Sequence, residues 1–136
     1  MTDYLLIIPA RYFSKRLPGK PLLDIKGIPM IIRTVNQCLK AVPRSKILIA
    51  TDDKRIQKIC ENQNIKTLMT SKKCLTGTDR IAEVAKNYGA EVPFMRPPEY
   101  SGDKDPEWLA WRHAINFLTN DLGLQLQSVT SIPATS

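Results

Sequence analysis

The chain has 136 residues, a formal net charge of +7 and an isoelectric point near 9.5. A chain of this length can bury about two thirds of its unfolded surface in one core, so it needs no disulfide or metal to fold. Its three cysteines are far apart and form no CxxC pair, which favours a reducing, cytoplasmic setting without thiolate metal sites. The first apolar run, Leu5 to Ile8, is too short for a signal-peptide core or a membrane span, so no membrane partner is expected.

The excess positive charge lies in the N-terminal third. Residues 1–49 contain nine Lys and Arg against two Asp and Glu, whereas the charges of residues 50–136 balance and interleave. No basic run alternates with aromatic residues that could stack on bases. The distribution therefore argues against a nucleic-acid partner, which the overall charge alone would suggest.

The first predicted unit is a strand, a basic loop and a helix. An apolar strand runs from Tyr4 to Ile8, and the segment that follows, residues 9–22, is called the basic loop below. Apolar residues at helical spacing then predict a helix from Ile28 to Leu39. Pro29 suits the first turn of that helix, where a missing N–H does no harm.

The second unit repeats this alternation. A strand from Lys46 to Ala50 is followed by Thr51-Asp52-Asp53, whose side-chain oxygens can cap a helix that ends near Asn62. A short third strand is predicted from Lys66 to Met69.

The rest of the chain begins with a helix that starts at Thr76-Gly77-Thr78-Asp79 and ends at a glycine cap, Gly89. Residues 92–104 contain three prolines and predict an irregular excursion. Asp105-Pro106-Glu107 starts a further helix that reaches about Thr119. A last strand is predicted from Leu126 to Ser131.

Strands that alternate with helices predict a three-layer, Rossmann-like α/β fold with a mostly parallel sheet. We expect one nucleotide-binding domain over residues 1–136, with the strands in the order 3-2-1-4. The last strand would then be an open edge, which normally pairs with a neighbour. We therefore expect the chain to be a truncated part of a larger sheet.

The basic loop follows the first strand, where open parallel sheets collect their ligands. Arg11, Lys15, Arg16 and Lys20 offer both bidentate donors and point charges to a polyphosphate, and Gly19 permits close backbone approach. A Walker A motif would need glycine at position 14 and Ser or Thr at position 21, but these residues are Ser14 and Pro21. Neither a P-loop ATPase nor a GxGxxG dehydrogenase is favoured. The alternative to a polyphosphate site is that the basic loop is only a solvated surface loop.

The basic loop resembles the nucleotide loop of the CMP-sugar-acid synthetases, a cytidylyltransferase family with the fold of nucleotide-diphospho-sugar transferases. The run Arg16 to Leu22 and the segments Ala50 to Asp53 and Thr76 to Ala85 are similar to the 3-deoxy-manno-octulosonate branch. Ser14-Lys15 and residues 88–98 are closer to the acylneuraminate branch. The resemblance extends over nearly the whole chain and leaves the branch open.

The resemblance implies that CTP activates a sugar acid, giving a CMP-sugar and pyrophosphate. Arg11, Arg16 and Lys20 would then be the catalytic residues, which hold the triphosphate and stabilise its developing charge. The residues implied to contact the nucleotide are Ala10, Arg11, Ser14, Lys15, Arg16, Lys20, Thr76, Gly77, Thr78, Asp79 and Arg80. An ordinary helix cap explains residues 76–80 equally well without the resemblance.

The family also implies Mg²⁺ as a cofactor and homodimer formation. Its metal-binding acids and its dimerisation element correspond to segments beyond the fourth strand, so we predict no metal ligands within this chain. Asp52 and Asp53 end a strand and could reach a metal, but helix capping explains them adequately. Two alternatives stay open: a non-catalytic CTP-binding or assembly fragment, and a nucleotidyltransferase that acts on a sugar or polyol phosphate.

Overall fold

The computed structural model describes residues 4–14, 17–74, 76–89, 99, 107–123 and 125. Residue contacts divide the chain into two compact units, Met1–Met95 and Arg96–Ser136. The single domain expected over residues 1–136 stays a prediction. The predicted strand Leu126 to Ser131, the excursion apart from Glu99, and the cap residues Asp105 and Pro106 lie outside the described residues.

A parallel sheet organises the first unit. Its strands in the described residues are β1 (Leu6–Ala10), β4 (Ile47–Thr51) and β5 (Lys66–Met69), in the order β1-β4-β5. β1, β4 and β5 correspond to the first, second and third predicted strands, so this order matches the 3-2-1 part of the prediction. Both pairings are parallel. β1 and β4 begin later than predicted, by two residues and one residue respectively.

The central strand β4 is buried on both faces, and its side chains separate two core layers. Ile47 and Ile49 pack among the side chains of α1 (Met30–Cys38) and α2 (Lys54–Glu61). Leu48 and Ala50 pack with Val84 of α3 (Gly77–Asn87). Each fully buried Ile or Leu contributes about 1.5–3 kcal/mol of burial energy. The predicted three-layer α/β fold is confirmed.

The start of α1 differs from the prediction. Residues 28 and 29 form a short strand, β3 (Ile28–Pro29), paired antiparallel with β2 (Asp24–Ile25). Lys26 and Gly27 connect them with φ values of 52° and 79°, the left-handed pair that a two-residue hairpin turn requires. Pro29 is therefore the residue before α1 rather than part of its first turn.

The helix ends of the first unit follow the predicted signals. Asp53 caps α2, with its side chain accepting from the Arg55 N–H, and Thr76 caps α3. Gly89 follows α3 at φ 76° and donates its N–H to the Lys86 carbonyl. In the second unit, α4 (Glu107–Asn116) continues into a π-helical turn, Phe117–Asp121.

Candidate functional site

The carboxyl ends of the three parallel strands lie in register at one edge of the sheet. Ala10 is opposite Thr51, and Thr51 is opposite Met69. The residues that follow these positions include Arg11, the Asp52-Asp53 pair and Thr70. This edge is where open parallel sheets bind ligands, so the structure brings the basic loop to the predicted place.

The basic loop is closed by contacts between Tyr12 and Gly19. The Gly19 N–H donates to the Tyr12 carbonyl at 2.8 Å. Gly19 is buried at φ 73°, and a Cβ at this position would lie 3.1 Å from Cε2 of the Tyr12 ring. The close approach permitted by Gly19 is therefore used by the protein's own aromatic ring, which the sequence did not predict.

The closure brings the two ends of the basic loop together. Arg11 directly precedes Tyr12, and Lys20 directly follows Gly19 and begins a single turn of 3₁₀ helix, Lys20–Leu22. Arg11 is exposed, whereas Ser14 and Lys20 are half-buried and Ala10 is buried. Lys15 and Arg16, which were predicted to bind the triphosphate, lie outside the described residues.

An ion pair at the start of α2 extends to the basic loop. Asp53 accepts from Nε of Arg55 at 3.0 Å and from Nη2 at 2.7 Å. The side-chain hydrogen bonds of this pair lower the pKa of Asp53 and raise that of Arg55. The Arg55 guanidinium carbon lies 3.6 Å from the centroid of the Tyr12 ring. α2 is thereby connected directly to the basic loop.

The predicted segment Thr76 to Arg80 forms the N-terminus of α3. Thr76 accepts from the Asp79 N–H at 3.1 Å, and Asp79 accepts from the Thr76 N–H at 3.0 Å, which is a capping box. Thr78 is exposed, and a Cβ on Gly77 would lie 3.4 Å from Cγ of Pro9 in β1. The amino end of α3, which carries a partial positive charge, therefore lies beside the strand that leads into the basic loop.

Arg80 is buried beneath this edge of the sheet. Its side chain is 1% exposed and pairs with Asp52 at 2.9 Å. It also donates to the Thr70 hydroxyl and, at 3.3 Å, to the Cys74 carbonyl. Arg80 thus connects the residues after β4 and β5 to the loop before α3.

The aspartates after β4 do not form a metal site with other described residues. Asp53 caps α2, as the sequence predicted, and Asp52 pairs with Arg80. Within residues 4–14, 17–74 and 76–89 and the described parts of the second unit, no group of three His, Cys, Asp or Glu side chains could hold a metal ion. The described donor set therefore does not fit Mg²⁺.

Cys74 borders a shallow cavity together with Asp79 and Glu83. Its thiol donates to Oε2 of Glu83 at 3.0 Å, while the other Glu83 oxygen accepts from the Ser71 N–H at 3.0 Å. Burial and the Glu83 carboxylate raise the pKa of Cys74 to about 11. A thiol with these contacts is little ionised at neutral pH and therefore weakly reactive.

Two further features of the site were not predicted from the sequence: the stacking of Arg55 on Tyr12 and the Arg80–Asp52 pair. Neither has a local sequence signal, because the partners belong to different elements.

No helix in the described part of the chain has the length and hydropathy needed to span a membrane.

The chain is similar in sequence to several known proteins. A family model described as cytidylyltransferase matches residues 5–96. A 3-deoxy-manno-octulosonate cytidylyltransferase of Protochlamydia amoebophila (strain UWE25) is 50% identical over 128 residues, 92% of this chain and 49% of that protein. The protein of the same name from Polynucleobacter necessarius subsp. necessarius (strain STIR1) is 49% identical over 84 residues, 62% of this chain and 33% of that protein.

A solved structure is also similar. It is a CMP:2-keto-3-deoxy-manno-octonic acid synthetase complexed with CTP, with a TM-score of 0.60 and 40% sequence identity. The match covers 65% of this chain and 37% of the solved one. The chain thus spans between a third and a half of the length of the curated relatives described above.

Proposed function

Because this chain belongs to the cytidylyltransferase family, we propose that it binds CTP at the carboxyl edge of its sheet and takes part in the transfer of CMP to a sugar acid. The acceptor proposed is of the 3-deoxy-manno-octulosonate type, with the acylneuraminate type as the alternative. The names of the relatives favour the first branch, since both are octulosonate cytidylyltransferases.

The observation that carries this proposal is the contact between Gly77 and Pro9. The start of α3 lies so close to the strand that leads into the basic loop that a Cβ added to Gly77 would be 3.4 Å from Cγ of Pro9. Arg11 and Lys20 are the chain neighbours of Tyr12 and Gly19, whose hydrogen bond closes the loop. Cationic side chains and a helix N-terminus are the groups that favour a bound triphosphate.

In the proposed reaction, the anomeric hydroxyl of the sugar acid attacks the α-phosphorus of CTP. A new P–O bond forms to the sugar, the bond between the α- and β-phosphates breaks, and the hydroxyl proton is released. Negative charge grows on the bridging oxygen and on the departing pyrophosphate, where Lys20 and Arg16 are proposed to stabilise it. Arg11 is proposed to orient the phosphates, and positioning of this kind lowers the entropic cost of reaction.

Mg²⁺ is the cofactor proposed for the transfer, because such reactions use a metal held by carboxylates near the phosphates. The described residues offer no such group of ligands. Arg11, Arg16 and Lys20 are proposed to act on the phosphates directly. These roles do not require that any described residue binds the metal.

Nucleotide selectivity tests the proposed function. We expect CTP to raise the melting temperature of the full chain more than ATP does, with stabilisation of about 2.7 kcal/mol at a CTP concentration 100 times Kd. Lys20→Ala should reduce this stabilisation, while Lys58→Ala, which removes an exposed cation from α2, should leave it unchanged. Equal stabilisation by CTP and ATP, or none, would refute the proposal.

Acceptor specificity separates the proposed activity from its alternatives. Pyrophosphate release with CTP and a sugar acid, but not with a panel of sugar and polyol phosphates, is the expected result. Release with the phosphates would instead indicate the other nucleotidyltransferase class. CTP binding without release for any acceptor would indicate a non-catalytic fragment.

A further inference from the structure

A chain of contacts runs from the buried core to the basic loop. The Thr51 side chain is fully buried and accepts from the Asp53 N–H at 3.2 Å. Asp53 in turn holds Arg55 by two side-chain hydrogen bonds of 2.7 and 3.0 Å. Each step fixes the next, so the orientation of the Arg55 guanidinium is set by the end of β4.

The guanidinium of Arg55 is presented to Tyr12. It lies 3.6 Å from the ring centroid, which is the distance of direct stacking of a planar cation on an aromatic face. The Tyr12 carbonyl also accepts from the Gly19 N–H, and the Tyr12 ring lies so close to Gly19 that an added Cβ would be 3.1 Å from it. The Tyr12 side chain is therefore held between Arg55 and Gly19.

The position of Tyr12 sets the spacing of the two cations that are proposed to bind the triphosphate. Arg11 and Lys20 are the immediate neighbours of Tyr12 and Gly19, whose backbone groups are joined at 2.8 Å. When this hydrogen bond opens, the two cations separate. A ligand that binds the open loop must then order it, and the lost conformational entropy lowers the affinity. Closure in the free protein preorganises the loop.

We propose that Arg55 is a positioning residue of the nucleotide site: stacked on Tyr12 and tethered to Asp53, it keeps the basic loop closed so that Arg11 and Lys20 remain at the spacing a triphosphate needs. The inference rests on the proposed function for the identity of the ligand. Arg55 acts through Tyr12 and does not itself contact the triphosphate. Its charge is already paired with Asp53.

Hydrogen exchange at the Gly19 amide, measured in the full chain without nucleotide, tests whether Arg55 keeps the basic loop closed. Arg55→Ala should speed exchange of this amide by about two- to fivefold, the range expected when an exposed cation–π contact is lost. The same substitution in a Tyr12→Leu background should have no further effect, because the partner of the guanidinium is gone. Lys58→Ala should leave the exchange unchanged. An unchanged Gly19 rate in Arg55→Ala would overturn the inference.

CTP affinity provides the second readout. Arg55→Ala should raise the Kd for CTP by about two- to fivefold when Tyr12 is present and leave it unaltered in the Tyr12→Leu background. Arg55→Lys should recover little, because an ammonium lacks the planar face that stacks on the ring. An equal loss in both backgrounds would mean that Arg55 contacts the nucleotide directly, which would overturn the positioning role. Absence of CTP selectivity in the wild type would refute the proposed function. The exchange measurement would still show whether Arg55 keeps the basic loop closed.

Discussion

Arg80 pairs with Asp52 at 2.9 Å in the interior, one residue away from the exposed pair that Asp53 forms with Arg55. The side chain of Arg80 is 1% exposed, whereas that of Arg55 is 56% exposed. Two adjacent aspartates therefore hold two arginines in opposite environments. The buried pair connects strands and helix beneath the site, and the exposed pair reaches the basic loop.

Loss of the buried arginine should be severe. Arg80→Met is expected to lower the free energy of unfolding by about 3–5 kcal/mol, because the Asp52 carboxylate would be left without its counter-charge. Among the residues that the structure describes, Oδ1 of Asp52 already has no hydrogen-bond partner. Urea unfolding followed by circular dichroism measures this loss.

The exposed pair is the matched control for this experiment. Arg55→Ala should cost at most about 1 kcal/mol, since solvent screens such a pair. The double variant Asp52→Asn with Arg80→Met should recover part of the loss, because no charge is then buried alone. A loss below about 1 kcal/mol in Arg80→Met would contradict the structural role.

Two glycines with similar positive φ values should respond differently to substitution. Gly19 and Gly27 have φ values of 73° and 79°, so alanine at either should cost about 1–2 kcal/mol of backbone strain. A Cβ at Gly27 meets nothing within 4 Å, whereas one at Gly19 meets the Tyr12 ring at 3.1 Å. Gly19→Ala should therefore destabilise by about 1–3 kcal/mol more than Gly27→Ala in thermal unfolding. Equal effects would show that the ring moves away freely.

The stability contributed by Asp53 should depend on pH. Its pKa is lowered from the ordinary value of 3.8, chiefly by the side-chain hydrogen bond from Arg55. A lowered pKa in the folded state means that the stabilisation is complete above pH 3.8 and is lost as the pH falls below it. Asp53→Asn keeps a good helix cap but removes the charge, so it should be less stable than the wild type by about 0.5–1 kcal/mol at pH 7.

The difference between wild type and Asp53→Asn should shrink as the pH falls below 3.8, and urea unfolding at pH 7 and at pH 3 measures it. Asp24→Asn serves as a control for general charge effects. A difference that stays constant between pH 7 and pH 3 would show that the ion pair with Arg55 does not stabilise the folded state.

Cys74 should react slowly with alkylating agents. With a pKa of about 11, caused first by burial and then by the Glu83 hydrogen bond, about 0.1% of the thiol is ionised at pH 8. Iodoacetamide should modify it roughly tenfold more slowly than a small model thiol, as followed by mass spectrometry.

Glu83→Gln should speed alkylation of Cys74, because it removes the carboxylate that opposes ionisation while keeping a hydrogen-bond acceptor. Glu61→Gln, which removes a carboxylate from α2, is the control. Modification of Cys74 at the rate of the model thiol in the wild type would contradict the raised pKa.

Local patterns in the sequence were sufficient for the order of the elements. β5 has the predicted bounds, Asp53 and Thr76 start the predicted helices, and Gly89 follows the third helix. The resemblance to cytidylyltransferases is confirmed by the family match over residues 5–96. These signals succeed because strand alternation, caps and glycine ends are each encoded within a few neighbouring residues.

Tertiary structure decided which side chains are buried and which meet. Arg80 and Asp52 are 28 residues apart in sequence, and Arg55 meets Tyr12 from a different element. The β2–β3 hairpin also replaced the predicted first turn of α1. Such contacts depend on strand register and helix packing, which no local pattern encodes. The sequence by itself thus determined a basic loop at the carboxyl edge of a parallel sheet, and only the packing of α2 and α3 on that sheet decided how the loop is held.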